Sequence, residues 1–253
     1  FPIGLVVMAS VKPAVTIFEV PPRLTFHPTL ANYVELYRRW PEFFGTLRNS
    51  LLITLGATGL TVIVSSAAGY VYSRFRSRAL TASAFFMVGI RMFPPIVITL
   101  PLFPAANMLG LMDTHLLLIL LYATFFVSLC TWVMRAFIDQ IPREMEEAAS
   151  VDGASLTQTL VRVTLPLAAP GMIASAVFVF VFSWNEFLFA FIFTTTRAKT
   201  APLILSEMLG AVTGVDWGAV FAAATIQLVP ILIFVLLVQR HLIIGLTAGS
   251  IKE

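Results

Sequence analysis

Long stretches without charged residues dominate the hydrophobic pattern of this chain. Each is long enough to cross a hydrocarbon core of about 30 Å as a helix that rises about 1.5 Å per residue. The stretches cover residues 49–73, 79–112, 114–134, 163–185 and 217–239. Only Arg91 interrupts the second, and the fourth stays apolar to Phe193 beyond Glu186. Because backbone in hydrocarbon must satisfy its own hydrogen bonds, and because strand-like alternation is missing, the pattern predicts five membrane-spanning helices.

The remaining segments complete the predicted organisation, which is all-α, integral to the membrane and a single domain over 1–253. Residues 1–10 are apolar but too short to span a bilayer, so they indicate either a trimmed signal peptide or the end of a first helix. No small-residue cleavage site follows, which favours a six-helix protein whose first helix is truncated in this chain. The predicted parts are the end of that helix at 1–10, an outer loop at 11–47, five spans within 48–240, a cytoplasmic segment at 138–165 and a cytoplasmic tail at 241–253.

Composition supports the membrane interpretation and narrows the function. The chain is 58% hydrophobic and 11% charged, whereas soluble domains average about 25% charged residues. Its net charge of +3 is typical of basic loops that orient a membrane protein and does not indicate a nucleic-acid site. The sequence has no phosphate-binding loop, no legible Ser/His/Asp arrangement and no zinc-spaced Cys/His set. We therefore expect no catalytic residue, metal, cofactor or nucleic-acid partner for this chain.

Short basic loops predict which side of the membrane each segment faces. Arg74, Arg76 and Arg78 follow the first full span, and further arginines flank the segment between the third and fourth spans. Because cytoplasmic loops carry an excess of Lys and Arg, these two segments and the C-terminus are expected in the cytoplasm. The pattern is not uniform, since Arg197 and Lys199 fall on the predicted outer side.

The predicted cytoplasmic segment carries the signals of two short helices joined by a sharp turn. Pro142 suits a helix start, and the acidic residues that follow it lie near the positive end of the helix dipole. Gly153 accepts the left-handed conformation that ends a helix. Ser155 and Gln158 form a capping box for a second helix, which the pattern ends at Leu165. The segment, with its face of small residues, is predicted to project from the membrane as a docking surface.

This segment resembles the EAA motif of ABC importer permeases. It contains Glu147-Ala148-Ala149, then Asp152-Gly153-Ala154, then Leu165-Pro166, with the glycine four residues after the second alanine. Further matches extend the resemblance over nearly the whole chain and are similar to the maltose-type carbohydrate uptake branch. They are Asn49-Ser50, the stretch 70–76, Pro95, Pro101, the stretch 109–113, Trp184-Asn185-Glu186-Phe187, Gln239-Arg240 and the stretch 245–252. Arg91 departs from the general pattern, which argues against simple transfer of the maltose-system substrate.

The resemblance implies a permease subunit of an ATP-driven importer, which moves a sugar or related solute into the cytoplasm by alternating access. It implies a multi-pass protein in contact with the lipid of a prokaryotic cell membrane. It also implies four protein partners: a second, usually different permease, two cytoplasmic ATPases and an extracytoplasmic binding protein. The ATPases would bind ATP and magnesium. The residues implied to couple to them are Glu146, Glu147, Ala148, Ala149, Asp152, Gly153 and Ala154.

Three polar residues in apolar context form a second candidate site. A charge at mid-bilayer costs about 2.5 kcal/mol or more, so it should face a partner or an aqueous path. Arg91, Asn185 and Glu186 are therefore candidates for the solute path or for the seam between two permeases, with a structural ion pair as a further interpretation of Arg91. A direct Arg91–Glu186 pair is disfavoured by a depth mismatch of about 12 Å. An alternative function is an ion-coupled secondary transporter that uses these two charges and needs no docking segment.

Overall fold

The computed structural model describes residues 2–21, 25–212 and 214–248, with side chains as far as Gln239. Every regular element in these ranges is helical, which confirms the predicted all-α class. The helices are α1 Pro2–Ser10, α2 Ala31–Arg39, α3 Phe43–Arg74, α4 Arg78–Ile90, α5 Pro95–Met108, α6 His115–Ile138, α7 Arg143–Val151, α8 Leu156–Thr159, α9 Leu165–Leu167, α10 Ala169–Trp184, α11 Leu188–Phe193, α12 Ala201–Leu209 and α13 Trp217–Ala248. Residues 249–253 of the predicted tail lie outside the described ranges.

Three helices are each long and apolar enough to cross a membrane: α3, α6 and the part of α13 that ends at Gln239. Two more candidate spans are bent pairs, because α5 follows α4 at an angle of 99° and α10 follows the helical segment Leu156–Leu167 at 75°. Five spans, the predicted number, result where each bent pair is counted as one span. The short helix α1 packs against α13.

The second predicted span is broken where its sequence removes helical hydrogen bonds. Arg91 ends α4, and Pro94 precedes α5 with Pro95 in its first turn. Neither proline has an N–H to continue the hydrogen-bond ladder of α4, so the chain changes direction there. Pro101 and Pro104 lie inside α5 without ending it. The structure therefore concentrates the effect of these prolines at one point, beside the charged residue.

The parallel helices α3 and α6 form the central pair of the fold and pack closely along their length. A methyl group at Gly69 would lie 2.7 Å from Met134 Cβ, and one at Gly56 would lie 2.8 Å from the Cδ1 atom of Ile119. Glycine at these positions lets the two helices approach. Small residues at such contacts are typical of helices in lipid. Because lipid tails are as apolar as the side chains, close packing and not the hydrophobic effect drives the association of these helices.

Polar segments collect at two opposite ends of the α3–α6 pair. At one end, the C-termini of α3 and α6 meet α7, and Arg74 contacts Glu146. At the other end, the N-termini of α3 and α6 meet the loops after α5 and α11, and Asn49 contacts Lys199. The loops predicted to be cytoplasmic therefore lie together at one end, and the loops predicted to be outside lie together at the other.

Candidate functional site

The turn between α7 and α8 has the geometry that the sequence predicts. Gly153 has a φ of +86°, in the left-handed region that favours glycine. Ser155 Oγ accepts a hydrogen bond from the Gln158 N–H at 3.4 Å, and Gln158 Oε1 accepts one from the Ser155 N–H at 2.8 Å. The capping box is therefore confirmed. We call the segment Arg143–Thr159, which comprises α7, this turn and α8, the coupling turn.

Glu146 lies on the inner face of α7, directed toward α3. Its carboxylate accepts from Arg74 Nε at 3.0 and 3.1 Å and from Arg74 Nη2 at 2.9 Å. The Tyr70 hydroxyl donates to it at 3.3 Å and the Thr164 hydroxyl at 3.0 Å. The Arg74 and Glu146 side chains are only 9% and 12% exposed. Although the EAA resemblance groups Glu146 with Glu147, its carboxylate is occupied by groups of this chain.

Further contacts join the C-terminal end of α3 to the end of α6 and the residues that follow it. Ser73 Oγ donates to Asp139 at 2.6 Å, and Arg74 Nη2 donates to the Ile141 carbonyl at 3.0 Å. The helix after the turn does not end at Leu165 as predicted, because it passes through a π-type turn at Leu160–Thr164 and continues to Leu167. An apolar cluster lies beneath these contacts, comprising Tyr70, Met134, Ile138, Ile141 and Ala168. Glu146 therefore attaches the coupling turn to α3, and the end of α3 is held in turn to the end of α6 by hydrogen bonds and packing.

The opposite face of the coupling turn is open. Glu147, Ala148, Asp152 and Gly153 are exposed, whereas Ala149 and Ala154 are half-buried. Large apolar side chains are exposed beside them, at Met145, Val151 and Leu156. Exposed apolar side chains beside carboxylates are typical of a protein interaction site. The predicted coupling residues, apart from Glu146, are therefore exposed or half-buried.

Arg91 lies at the break between α4 and α5 and is half-buried. Its guanidinium group lies over the ring of Phe125, 5.1 Å from the centroid, in a cation–π contact. Its Nη1 atom is buried without a hydrogen-bond partner among the described residues. No ion pair joins Arg91 to Glu186 in the described part of the chain, which agrees with the expected depth mismatch.

Glu186 lies in a second helix break and acts as the N-terminal cap of α11. Its carboxylate accepts from the Phe189 N–H at 2.9 Å and from the Ala190 N–H at 3.3 Å. The Tyr122 hydroxyl is close by, although the geometry falls short of a hydrogen bond. The predicted apolar run to Phe193 is therefore two helices, because the carboxylate satisfies the first amides of the second.

Asn185 and Trp184 lie at the end of α10 and differ in exposure. Asn185 is exposed, and its amide nitrogen donates to the Val181 carbonyl at 2.7 Å. Trp184 is fully buried, and its Nε1 donates to the Gln227 carbonyl at 3.2 Å. Asn185 is therefore accessible to a ligand or partner, whereas the carboxylate of its neighbour Glu186 is occupied by backbone N–H groups.

Asp113 organises the outer end of the fold, a role that sequence reasoning missed. Its carboxylate accepts from the backbone N–H groups of residues 195–198 and from the hydroxyls of Thr195 and Thr196, at 2.9–3.3 Å. Burial acts to raise the pKa of this carboxyl, but the backbone N–H groups of Arg197, Ala198 and Thr195 outweigh it and hold the pKa well below its ordinary value. The signal in the sequence was an acidic residue between two apolar helices.

Asn49 holds the same outer loop from the other side. Its amide nitrogen donates to the carbonyls of Arg197 and Lys199 at 2.9 and 3.0 Å, and His115 Nε2 donates to its amide oxygen at 2.8 Å. The loop after α11 is therefore tied to the N-termini of α3 and α6.

Within the described residues, no group of His, Cys, Asp and Glu side chains could hold a metal ion.

Comparisons with known proteins identify related chains. Residues 57–245 match the model of a protein family described as binding-protein-dependent transport system inner membrane component. The chain is 36% identical to the trehalose/maltose transport system permease protein MalG of Thermococcus litoralis, over 91% of this chain and 84% of that one. It is 36% identical to the trehalose transport system permease protein SugB of Mycobacterium tuberculosis, over 99% and 92%.

A solved structure has the same fold. It is a bacterial ABC transporter involved in the import of the acidic polysaccharide alginate. The superposition has a TM-score of 0.79 and covers 95% of this chain and 89% of that one, at 22% sequence identity.

Proposed function

Since the chain belongs to the family of binding-protein-dependent transport system inner membrane components and is a permease subunit of an ABC importer, we propose that it is a passive gate driven by partner ATPases. ATP and magnesium would be bound by those partners and not by this chain. The gate would alternate between outward- and inward-facing states as a multi-pass protein of a prokaryotic cell membrane. ATP binding can favour one state only through differential contacts at the coupling turn.

The observation that carries this proposal is the two-sided coupling turn. On one side Glu146 is locked to Arg74 at the end of a candidate span, and on the other Glu147 is exposed beside apolar side chains. A displacement of the exposed face would therefore also displace α3, because the Glu146–Arg74 contact joins the two. This arrangement favours a segment that transmits motion from a docked ATPase.

The proposed assembly also contains a second permease and an extracytoplasmic binding protein. The loop 194–200, held by Asp113 and Asn49, offers a preorganised outer surface for the binding protein. Related chains are named for trehalose/maltose, trehalose and sulfoquinovosyl glycerol transport. We infer a sugar or sugar derivative as the solute.

Among the candidate polar residues, Arg91 best fits the solute path. Its buried Nη1 atom has no partner in the described part of the chain. Arg91 also lies at a helix break, and broken helices within a membrane are found where the backbone lines a water-filled cavity. Glu186 fits a structural role, because α11 uses its carboxylate. Asn185, which is exposed, remains a candidate for the path or the permease seam. The secondary-transporter alternative is not favoured, since its proposed charge relay lacks a contact between Arg91 and Glu186.

The test measures uptake, ATP hydrolysis and ATPase pull-down side by side in the assembled transporter. We expect Glu147→Lys and Gly153→Val to abolish uptake, either by releasing the ATPases or by leaving them hydrolysing without transport. Solute capture by the separate binding protein should be unchanged, and the purified chain alone should not hydrolyse ATP.

Two matched controls sharpen this test. Glu147→Asp retains the charge, and Gly59→Val adds the same side chain at a helical glycine with no atom within 4 Å. Both controls should keep substantial uptake. Normal uptake in Glu147→Lys and Gly153→Val would remove the coupling turn from the mechanism.

A further inference from the structure

A groove of about 950 Å³ opens at the same end of the fold as the coupling turn, but on a different surface. It lies between the C-terminal ends of α3 and α6 and the first turns of α4. Its walls are held together by a hydrogen bond between the Tyr72 and Ser83 hydroxyls at 2.8 Å. The residues that the argument uses are Phe75, Arg76, Arg78, Phe85, Trp132 and Arg135. We call this the basic groove.

The charges that line the basic groove are all positive. Arg76 and Arg78 are exposed, and no carboxylate among the described residues pairs with either. Arg135 lies over the Trp132 ring at 5.3 Å and 3.5 Å from Asp139 Oδ2, and that carboxylate also accepts from Ser73. The first turn of α4 adds the positive end of a helix dipole. The groove therefore has unneutralised positive charge and fits an anion.

The other half of the basic groove is apolar. Phe75, Phe85 and Trp132 are exposed there, Phe85 to 72%. The arginines sit at the ends of candidate spans, and the aromatic rings lie beside them. Aromatic side chains next to basic ones are typical of the level at which lipid headgroups meet hydrocarbon. An anion that fits this site must carry an apolar part as well as a charge.

We propose that the basic groove binds an anionic phospholipid, with its phosphate at Arg76, Arg78 and Arg135 and its acyl chains along Phe85 and Trp132. Basic pockets between spanning helices recognise such headgroups through charge and position. A soluble phosphate would leave the aromatic half without a partner. An acidic protein surface would place charged groups against the exposed phenylalanine rings, which need an apolar partner. The chemistry of the groove thus favours lipid over both.

The experiment uses the assembled transporter in nanodiscs of zwitterionic lipid with or without phosphatidylglycerol. Native mass spectrometry measures retained phosphatidylglycerol, and inorganic phosphate is added as a competitor. Each basic residue near an anionic surface contributes about 1 kcal/mol, so Arg76→Gln with Arg78→Gln should weaken retention roughly 25-fold. Arg135→Gln should weaken it less, because its charge is partly offset by Asp139. Arg48→Gln, an exposed arginine at the opposite end of α3, should leave retention unchanged.

Three results would overturn the proposal. Equal retention by the double variant and by Arg48→Gln would show that the groove is not the lipid site. Displacement of the lipid by inorganic phosphate at matched concentration would indicate a free-anion site. Loss of the partner permease or the ATPases from the double variant would show that the groove is a protein interface. Because lipid retention is read without transport, the result is independent of the proposed function.

Discussion

Glu146 and Glu147 are neighbours in the sequence with opposite environments. Glu146 accepts hydrogen bonds from Arg74, Tyr70 and Thr164, whereas Glu147 faces out. On a helix, successive side chains are separated by about 100°, so one can serve the interior and the next an interface. Spacing on α7 therefore places one of two identical residues against α3 and leaves the other exposed.

The Glu146 anchor can be tested with an isosteric change. Glu146→Gln removes the charge but keeps the shape, leaving Arg74 nearly buried without its counterion. Breaking one side of such a pair costs about 3–5 kcal/mol, and we expect the lower part of this range because some exposure remains. Thermal unfolding of the purified chain should show the loss, and Glu147→Gln should not. Equal stability of the two variants would contradict the anchoring role.

Asp113 allows a second prediction, with a defined pH dependence. Its pKa is lower in the folded chain than in the unfolded chain, so its contribution is present above the unfolded value of about 3.9 and is lost as pH falls from there through the folded value. Hydrogen-exchange protection of amides 195–198 should be constant from about pH 5 to 8 and collapse in Asp113→Asn, whose amide nitrogen would face N–H donors. Asp216→Asn, where Asp216 accepts from the Ala219 N–H, should leave that loop protected.

At the scale of elements, α3 combines open glycines with closely packed ones. Gly69 meets α6, whereas Gly59 has no atom within 4 Å of an added methyl group. Both positions are helical, so alanine improves helix propensity by about the same 0.8–1.0 kcal/mol at each. The difference between two substitutions on this helix therefore isolates the packing against α6.

We expect Gly69→Ala to destabilise the chain by about 1–3 kcal/mol relative to Gly59→Ala, because its methyl group would lie 3.0 Å from the Arg135 backbone nitrogen and even closer to Met134. The measurement is thermal unfolding in detergent, with both variants compared with the parent chain. A smaller difference would mean that α3 and α6 can separate without loss, and that the central pair is not rigid.

At the scale of the whole molecule, the positions of the polar clusters predict a topology. The coupling turn and the Asp113-bound loop lie at opposite ends of α3 and α6, which run in the same direction. If one end faces the cytoplasm, the other faces outward. The charge pattern of the loops assigns the coupling turn to the cytoplasm.

Cysteine labelling in intact cells tests this topology. In a Cys130→Ser background, Arg197→Cys should react with a membrane-impermeant maleimide, since the side chain is exposed at the outer end. Glu144→Cys, exposed on α7, should react only after permeabilisation. The reverse pattern would invert the topology, and equal labelling of both would show that the two ends are not separated by the membrane.

Hydrophobic pattern and local spacing were sufficient to predict the helical class, the candidate spans and the coupling turn. Those features depend on residues close in sequence: a run of apolar side chains, a glycine at a left-handed position, a serine three residues before a glutamine. The roles of Glu146 and Asp113 depend on partners 72 residues away at Arg74 and 84 residues away at Arg197. A carboxylate looks the same in sequence whether its oxygens are bound within the chain or exposed. Only the tertiary structure therefore decided that Glu146 is occupied and that Glu147 is free for a partner.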